Sequence, residues 1–276
     1  QKYILNLFDF IIPLFLTYFL LKVTIPFFKK IFPSIPNNRG MYSFIKPSSG
    51  GLIFVVTSLF IYVFKGYLLP FLSLPMALIG ALDDKYNLSR TVRYIMQIVT
   101  LLVIIFTLKF DPELLINKIS NQNFIFLFIF IFLGTIIINT LNFMDGIDGL
   151  VCGTMIVIFS TINMNLNNLL PIIGSLTGFL VLNWYPSKIF MGDSGSLYLG
   201  TYLASLVLNS ENFIEVIKIL FLCSPLLLDS SICIIRRFLN GQNIFKSHKL
   251  HLYQRLVSSG IKHSYVSLIY ILSVLF

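Results

Sequence analysis

Charge is what this sequence has least of: only 11% of its 276 residues are Asp, Glu, Lys or Arg, against about 25% in an ordinary soluble domain. With 57% hydrophobic residues alongside, that scarcity excludes a water-soluble globular domain and points to lipid. Cysteine is nearly missing too. Cys152, Cys223 and Cys233 stand singly in apolar surroundings, with no CxxC pair and no His at metal-ligand spacing. This pattern excludes a disulfide framework and a thiolate metal site and leaves three small core residues. There is no long soluble domain, no heptad repeat and no clear internal repeat. No cleavable signal peptide is expected from the first apolar run, which lacks a basic start and a small-residue cleavage site and is followed by further spans. Residue 1 is Gln and the chain stops at Phe276 inside an apolar run. Both ends therefore read as limits of a fragment, with a further C-terminal helix expected.

What is present is a series of apolar runs, best counted in spans of about 20 residues, the length that crosses the hydrocarbon layer. Runs between polar breaks predict about ten helices, at 3–28, 50–64, 67–82, 94–110, 124–142, 150–164, 169–183, 197–209, 213–235 and 264–276. An all-α polytopic bundle, a single transmembrane domain over 1–276, is the simplest account, because helices satisfy their own backbone in lipid. Fourteen of the 20 Lys and Arg fall in one set of alternating loops: Lys29, Lys30, Arg39, Lys46, Lys85, Arg90, Arg93, Lys188, Arg236, Arg237, Lys246, Lys249, Arg255 and Lys262. The positive-inside rule places that face in the cytoplasm and the N-terminus outside. The net charge of +9 follows from this bias and suits anionic lipid and phosphate-bearing substrates. Nothing in it requires nucleic acid.

Six of the eleven acidic residues, Asp83, Asp84, Asp145, Asp148, Asp193 and Asp229, lie at or near that same face. The topology rule does not predict this, and carboxylates beside a bilayer are costly unless they meet water, cations or a task. Asp83 and Asp84 are adjacent and are followed by Arg93 and Gln97 on one helix face. Such a pair can raise one carboxylate toward a general base or bind a divalent cation, although a solvated helix end paired with Lys85 and Arg90 would look similar. Asn139, Asn142, Asp145 and Asp148 recur at every third position. They present amide and carboxylate oxygens of the kind magnesium prefers. A capped helix-to-helix turn would explain Gly146 and Gly149 but not two Asn within an apolar run.

A third group runs from Asn183 to Ser196 through Pro186, Phe190, Gly192 and Asp193. Small residues there expose backbone N–H groups to phosphate, Asp193 suits a metal, and Phe190 can stack on a base. Ser194 is not a hydrolase nucleophile, because no Gly-x-Ser-x-Gly elbow surrounds it. The fourth group is two basic loops, one carrying Arg39 and Lys46-Pro47-Ser-Ser-Gly50-Gly51. The other carries Arg236, Arg237, Lys246, His248, Lys249, His251 and Arg255. His263, beside the last helix, reads as an ordinary helix-start residue. Because the acids, Asp229 partly excepted, fall at helix ends and not at mid-bilayer, a cation- or proton-coupled transporter is the weaker alternative. A protein that binds lipid or partners without catalysis is weaker too, because the metal-type and acid positions are filled.

In this order and on this face, the segments resemble the WecA/TagO/MraY-like polyprenyl-phosphate N-acetylhexosamine-1-phosphate transferases, glycosyltransferase family 4. They are Pro47-Ser-Ser-Gly-Gly51, Asp83-Asp84 with Arg93 and Gln97, Asn139-x-x-Asn142-x-x-Asp145-Gly-Ile-Asp148-Gly-Leu150, Asn183-x-x-Pro186-x-x-x-Phe190-Met-Gly-Asp193-Ser-Gly-Ser196, and the later Asp229, Arg236-Arg237 and His251. The resemblance implies attack of a polyprenyl (undecaprenyl) phosphate on the β-phosphorus of a UDP-N-acetylhexosamine, giving polyprenyl-diphosphate-sugar and UMP. It implies Mg2+, with Mn2+ as an alternative, held by Asn142 and Asp193. It implies a catalytic set of Asp83, Asp84, Asp145, Asp148 and His251. The substrate contacts it implies are Arg39, Lys46, Arg93, Asn139, Asn183, Phe190 and Arg255. It further implies a multi-pass protein of the bacterial inner membrane with its active site facing the cytoplasm, and leaves a homodimer open. Where many members carry His-x-His-His, this chain has His251-Leu-Tyr-Gln254, and Tyr42 stands where a His is common. That form looks like the branch that initiates O-antigen or related surface polysaccharides, and it leaves the sugar open.

Overall fold

The computed structural model describes residues 2–36, 42, 44–109, 121–166, 168–210, 212–242 and 250–275. The described residues form α1 (Lys2–Ile31), β1 (Pro33–Ser34), β2 (Lys46–Pro47), α2 (Gly51–Lys65), α3 (Leu69–Leu72), α4 (Leu74–Tyr86), α5 (Arg90–Lys109), α6 (Asn121–Met144), α7 (Leu150–Leu166), α8 (Leu170–Asn183), α9 (Gly192–Asn209), α10 (Phe213–Leu222), α11 (Ser224–Leu239), α12 (Leu252–Ser258) and α13 (His263–Ser273). The protein is an all-α polytopic membrane protein. Among the described residues three helices are long and apolar enough to cross a membrane alone, Leu7–Ile31, Arg90–Leu108 and Leu127–Met144. The bent pair α10–α11 supplies a fourth crossing if counted as one, and α2, α7 and α8 are shorter apolar helices.

Two of the expected runs are broken. The run at 67–82 divides at Ser73 into α3 and α4, each with a proline in its first turn. The run at 213–235 divides at Cys223, and the two halves meet at 74°. Pro225 has no N–H to continue the ladder across that break, which is the usual cause of so sharp a bend. The helix α12 was not expected at all, since its residues read as part of a basic loop. The two short strands pair antiparallel, Pro33 with Pro47 and Ser34 with Lys46, and bring the start of α2 back beneath the end of α1.

Packing follows small residues, as it must where lipid offers no hydrophobic drive between helices. Gly174 and Gly178, one turn apart on α8, let α1 lie directly on them. A Cβ at either position would run into the backbone carbonyl of Phe10 or Leu14. Hydroxyls complete the joint: Thr17 of α1 lies 2.6 Å from Thr57 of α2, whose hydroxyl donates to Ser175 of α8 at 3.1 Å.

The centre of the bundle is α9, buried without interruption from Ser194 to Leu208, as expected of a helix apolar all round. It packs on α2, α4, α5 and α6. The N-terminus of α9 therefore meets the C-termini of α4 and α6, and the acidic residues sit where these three ends converge.

Candidate active site

A cavity of ≈ 410 Å³ opens at that convergence, walled by Asp84, Asn142, Asp145, Phe190, Asp193 and Tyr253 among others. Asp84, at the end of α4, accepts from Ser49 Oγ at 2.6 Å, Ser48 Oγ at 3.4 Å, and the backbone N–H groups of Asp193 and Ser194 at 3.1 and 3.4 Å. Since α9 has no side-chain cap of its own, Asp84 supplies one from another helix and satisfies donors that a helix start leaves open. The adjacent Asp83 faces elsewhere: its Oδ2 accepts from Arg93 Nη1 at 2.7 Å, and the same nitrogen reaches Asp193 Oδ2 at 3.1 Å. Asp193 Oδ1 in turn accepts from Asn142 Nδ2 at 2.9 Å, and that amide also donates to Ser196 Oγ at 3.1 Å.

Asp145 follows α6 in the turn leading to α7. Burial, then the charges of Asp84 and Asp148, push its carboxyl up to about 8. Four acidic side chains, Asp83, Asp84, Asp145 and Asp193, thus gather at one place, where the Arg93 guanidinium meets only Asp83 and Asp193, and a divalent cation would offset the crowding.

The residues present fit magnesium. Among the described residues no three His, Cys, Asp or Glu side chains form a metal group by themselves, but Mg2+ binds through one or two carboxylates plus waters and substrate phosphates. Asp193 and Asn142 are in contact at the cavity wall. A half-turn of the Asn142 amide exchanges its donor for an oxygen, which would then face Asp193 as a second ligand.

Beside the cavity lies a second polar group. Phe190 carries Lys46 Nζ 5.0 Å from its ring centroid and the Tyr42 ring at 4.7 Å. Lys46 donates to Ser187 Oγ at 2.9 Å and lies 3.8 Å from Asp148 Oδ2. Asp148 also accepts from Ser187 N at 3.0 Å and Ser187 Oγ at 2.8 Å. Burial raises the Asp148 carboxyl, but the His263 imidazole, the two Ser187 donors and Lys46 outweigh it and hold the group below its ordinary value.

Of the sequence-predicted residues, Asp84, Asn142, Asp145, Asn183, Phe190 and Asp193 line the cavity. Asp83 and Arg93 join it through Asp193, and Lys46 and Asp148 through Phe190 and Ser187. Asn183 is engaged in scaffolding: its Oδ1 accepts from Gly149 N at 3.1 Å and its Nδ2 donates to Ile189 O at 3.0 Å. Asn139 exchanges amide hydrogen bonds with Gln97 at 3.2 and 3.0 Å, one turn below Asn142. His251 is buried at 4% exposure behind the cavity wall, against Phe143 and Tyr253. Arg255 is exposed and lines a separate groove with Arg236. Arg39, with Lys246, His248 and Lys249, lies outside the described residues.

Sequence reasoning passed over Ser187, the partner of both Lys46 and Asp148, although its position directly after Pro186, between Asn183 and Asp193, is a usable signal. It also passed over His263, whose Nδ1 lies 3.8 Å from Asp148. No spacing rule links a residue at 263 to one at 148.

Fold and site together define a polytopic membrane protein with an acidic, amide-rich cavity where three helix ends meet, flanked by a Lys and an aromatic ring. The chain belongs to glycosyl transferase family 4, whose model matches residues 67–211. It is 33% identical over 273 residues to a probable undecaprenyl-phosphate N-acetylglucosaminyl 1-phosphate transferase of Bacillus subtilis, covering 87% of this chain and 74% of that protein. It is 29% identical over 286 residues to a phospho-N-acetylmuramoyl-pentapeptide-transferase of Staphylococcus epidermidis, covering 87% and 88%. A decaprenyl-phosphate N-acetylglucosaminephosphotransferase of Mycobacterium tuberculosis is 28% identical over 228 residues, covering 69% of this chain and 56% of that protein.

Proposed function

We propose that this protein transfers an N-acetylhexosamine 1-phosphate from a UDP-sugar to a polyprenyl phosphate, and so initiates a cell-surface polysaccharide of the O-antigen kind or similar. In this reading an oxygen of the lipid phosphate bonds to the β-phosphorus of the UDP-sugar. The bond from that phosphorus to the bridging oxygen breaks, and UMP leaves with the electron pair. The observation that carries the reading is the convergence of Asp193, Asn142, Asp145 and Arg93 on one cavity, beside Phe190 and Lys46. The names of the relatives support the reaction class. Two of the three are named for N-acetylglucosamine, which makes UDP-N-acetylglucosamine the first donor to test.

The two polar groups divide the work. Phe190 offers a face to a base, and Lys46, held by Ser187 and Asp148, offers charge at the nucleotide end. Arg93, held between two carboxylates, presents a cation toward the diphosphate. Bound Mg2+ would be held by Asp193 and Asn142 and would neutralise charge that otherwise repels one phosphate from another. Asp83, kept by Arg93 at the rim, is placed to orient the incoming lipid phosphate. The bias of Lys and Arg supports a cytoplasmic-facing site in a bacterial inner membrane.

The test is release of UMP by purified protein given undecaprenyl phosphate and each UDP-N-acetylhexosamine, with and without Mg2+. Turnover that needs both lipid phosphate and metal is expected. No turnover with any donor, in folded full-length protein, would sink the assignment.

A further inference from the structure

We propose that Asp229 and Tyr253 form a latch that positions the Asp145–Gly149 turn, Tyr253 from the cavity wall and Asp229 from behind it, with Asp229 acting as a positioning residue that touches no substrate. Only its activity readout rests on the transferase reading above.

Asp229 is a carboxylate in a membrane helix, α11, with 7% exposure, a costly placement unless it is used. Its oxygens accept from Leu252 N at 2.7 Å, Tyr253 N at 3.3 Å and Tyr270 Oη at 2.6 Å. The first two donors open α12, where a helix leaves its N–H groups without partners. A seven-residue helix does not stand on its own, so α12 is seated by a carboxylate from α11. The third bond ties the same carboxylate to α13.

Once α12 is seated, Tyr253 points back at the cavity. Its hydroxyl donates to the Phe143 carbonyl at 2.9 Å and accepts from Gln254 Nε2 at 3.1 Å. Phe143 lies in the last turn of α6, among carbonyls that have no helical donor, between Asn142 and Asp145. Gly146 rests directly on the same phenol, so that a Cβ there would collide with the Tyr253 hydroxyl.

The later end of the turn has other anchors. Gly149 N donates to Asn183, and the Asp148 carbonyl accepts from Ser267 Oγ at 2.8 Å. The start of the turn, which carries Asp145, depends on Tyr253. His251-Leu-Tyr-Gln254 thus holds the turn in place, and its tyrosine and glutamine are engaged with the protein.

The test compares Tyr253→Phe, Asp229→Asn and the double variant with wild type in detergent. Tyr253→Phe keeps the ring and deletes the hydroxyl, so folding is retained. Amide hydrogen exchange is expected to quicken at residues 143–147 and to stay unchanged at 187–191. The Mg2+ concentration for half-maximal turnover is expected to rise by up to about tenfold, the low end of the loss seen when the support around a metal ligand is disturbed, because Phe143 adjoins Asn142, while KM for UDP-N-acetylglucosamine changes less. The double variant is expected to match the worse single one, because both changes cut the same chain of contacts. Asp229→Asn, which still accepts from Leu252, is expected to retain more activity than Asp229→Ala. A lower melting temperature with unchanged exchange at 143–147 would overturn the latch, as would additive effects in the double variant. Should wild type turn over no UDP-sugar, the transferase reading fails and hydrogen exchange alone decides the latch.

Discussion

Arg93 Nη1 stands 2.7 Å from Asp83 and 3.1 Å from Asp193, so one nitrogen joins the end of α4 to the start of α9. Removing it leaves the carboxylates facing each other across the rim. Arg93→Ala is expected to lower UMP release by about 100-fold or more, the scale of losing a charge-stabilising donor in a dry site. Arg93→Lys should fall between, since a point charge cannot replace the planar fork. Wild-type initial rates in Arg93→Ala would refute the role.

Chelation of divalent cations is expected to abolish turnover reversibly. Asp193→Asn and Asn142→Ala should each lose metal-dependent activity even at high Mg2+, because the contacting pair at the cavity wall is broken. Full activity of both variants in a Mg2+ titration would place the metal elsewhere.

Asp145 links activity to a cost in stability. Its carboxyl ionises near 8 in the folded protein against an ordinary 3.8, so between those values the folded state binds more protons than the unfolded one. Stability contributed at this position therefore falls as pH rises from about 4 to 8 and levels off above. Asp145→Asn removes the loss. Without metal, the variant is expected to melt higher than wild type, by on the order of 2 kcal/mol at pH 7 once cavity water is allowed for, with the gap widening up to pH 8. It should nevertheless be inactive. Equal melting curves across this range would contradict the buried, charge-crowded setting.

Phe190→Ala is expected to raise KM for the UDP-sugar by the equivalent of about 1–3 kcal/mol, the usual worth of a base stacked on an aromatic ring, with a smaller change in kcat. Phe190→Tyr should retain the KM. An unchanged KM in Phe190→Ala would remove the ring from the nucleotide site.

The legible parts of the fold were those where chemistry repeats locally. Long apolar runs such as those at 3–28 and 124–142 reappear as α1 and α6, because a helix in lipid needs nothing beyond its own ladder. Prolines explain the two misjudged runs, yet Pro70 and Pro75 lie within windows whose average hydropathy hides them. The start of α9 was read at 197 and lies at Gly192, since Gly-Asp-Ser-Gly is a poor helix opening until Asp84 caps it from α4. That cap, like the seat Asp229 gives α12, joins residues more than 20 apart and leaves no period to read. At the site, Asp193, Asn142 and Asp145 were legible as polar exceptions beside apolar runs, and Phe190 as a ring set in a loop of small and polar residues. Ser187 and His263 were not, because each acts through Asp148 and neither is unusual where it stands.

The joint between α1 and α8 sets an order of assembly. Five of the described helices, α3 to α7, separate Thr57 from Ser175, so α1 and α2 enter the membrane before their tightest neighbour exists. Until α8 arrives, the hydroxyls of Thr17 and Thr57 have only each other or their own helix carbonyls, and one flank of α1 faces lipid. The gap left for the α1 backbone by Gly174 and Gly178 closes late. A bulkier residue there would stall the molecule half-assembled in the membrane, with every side chain of the cavity unchanged.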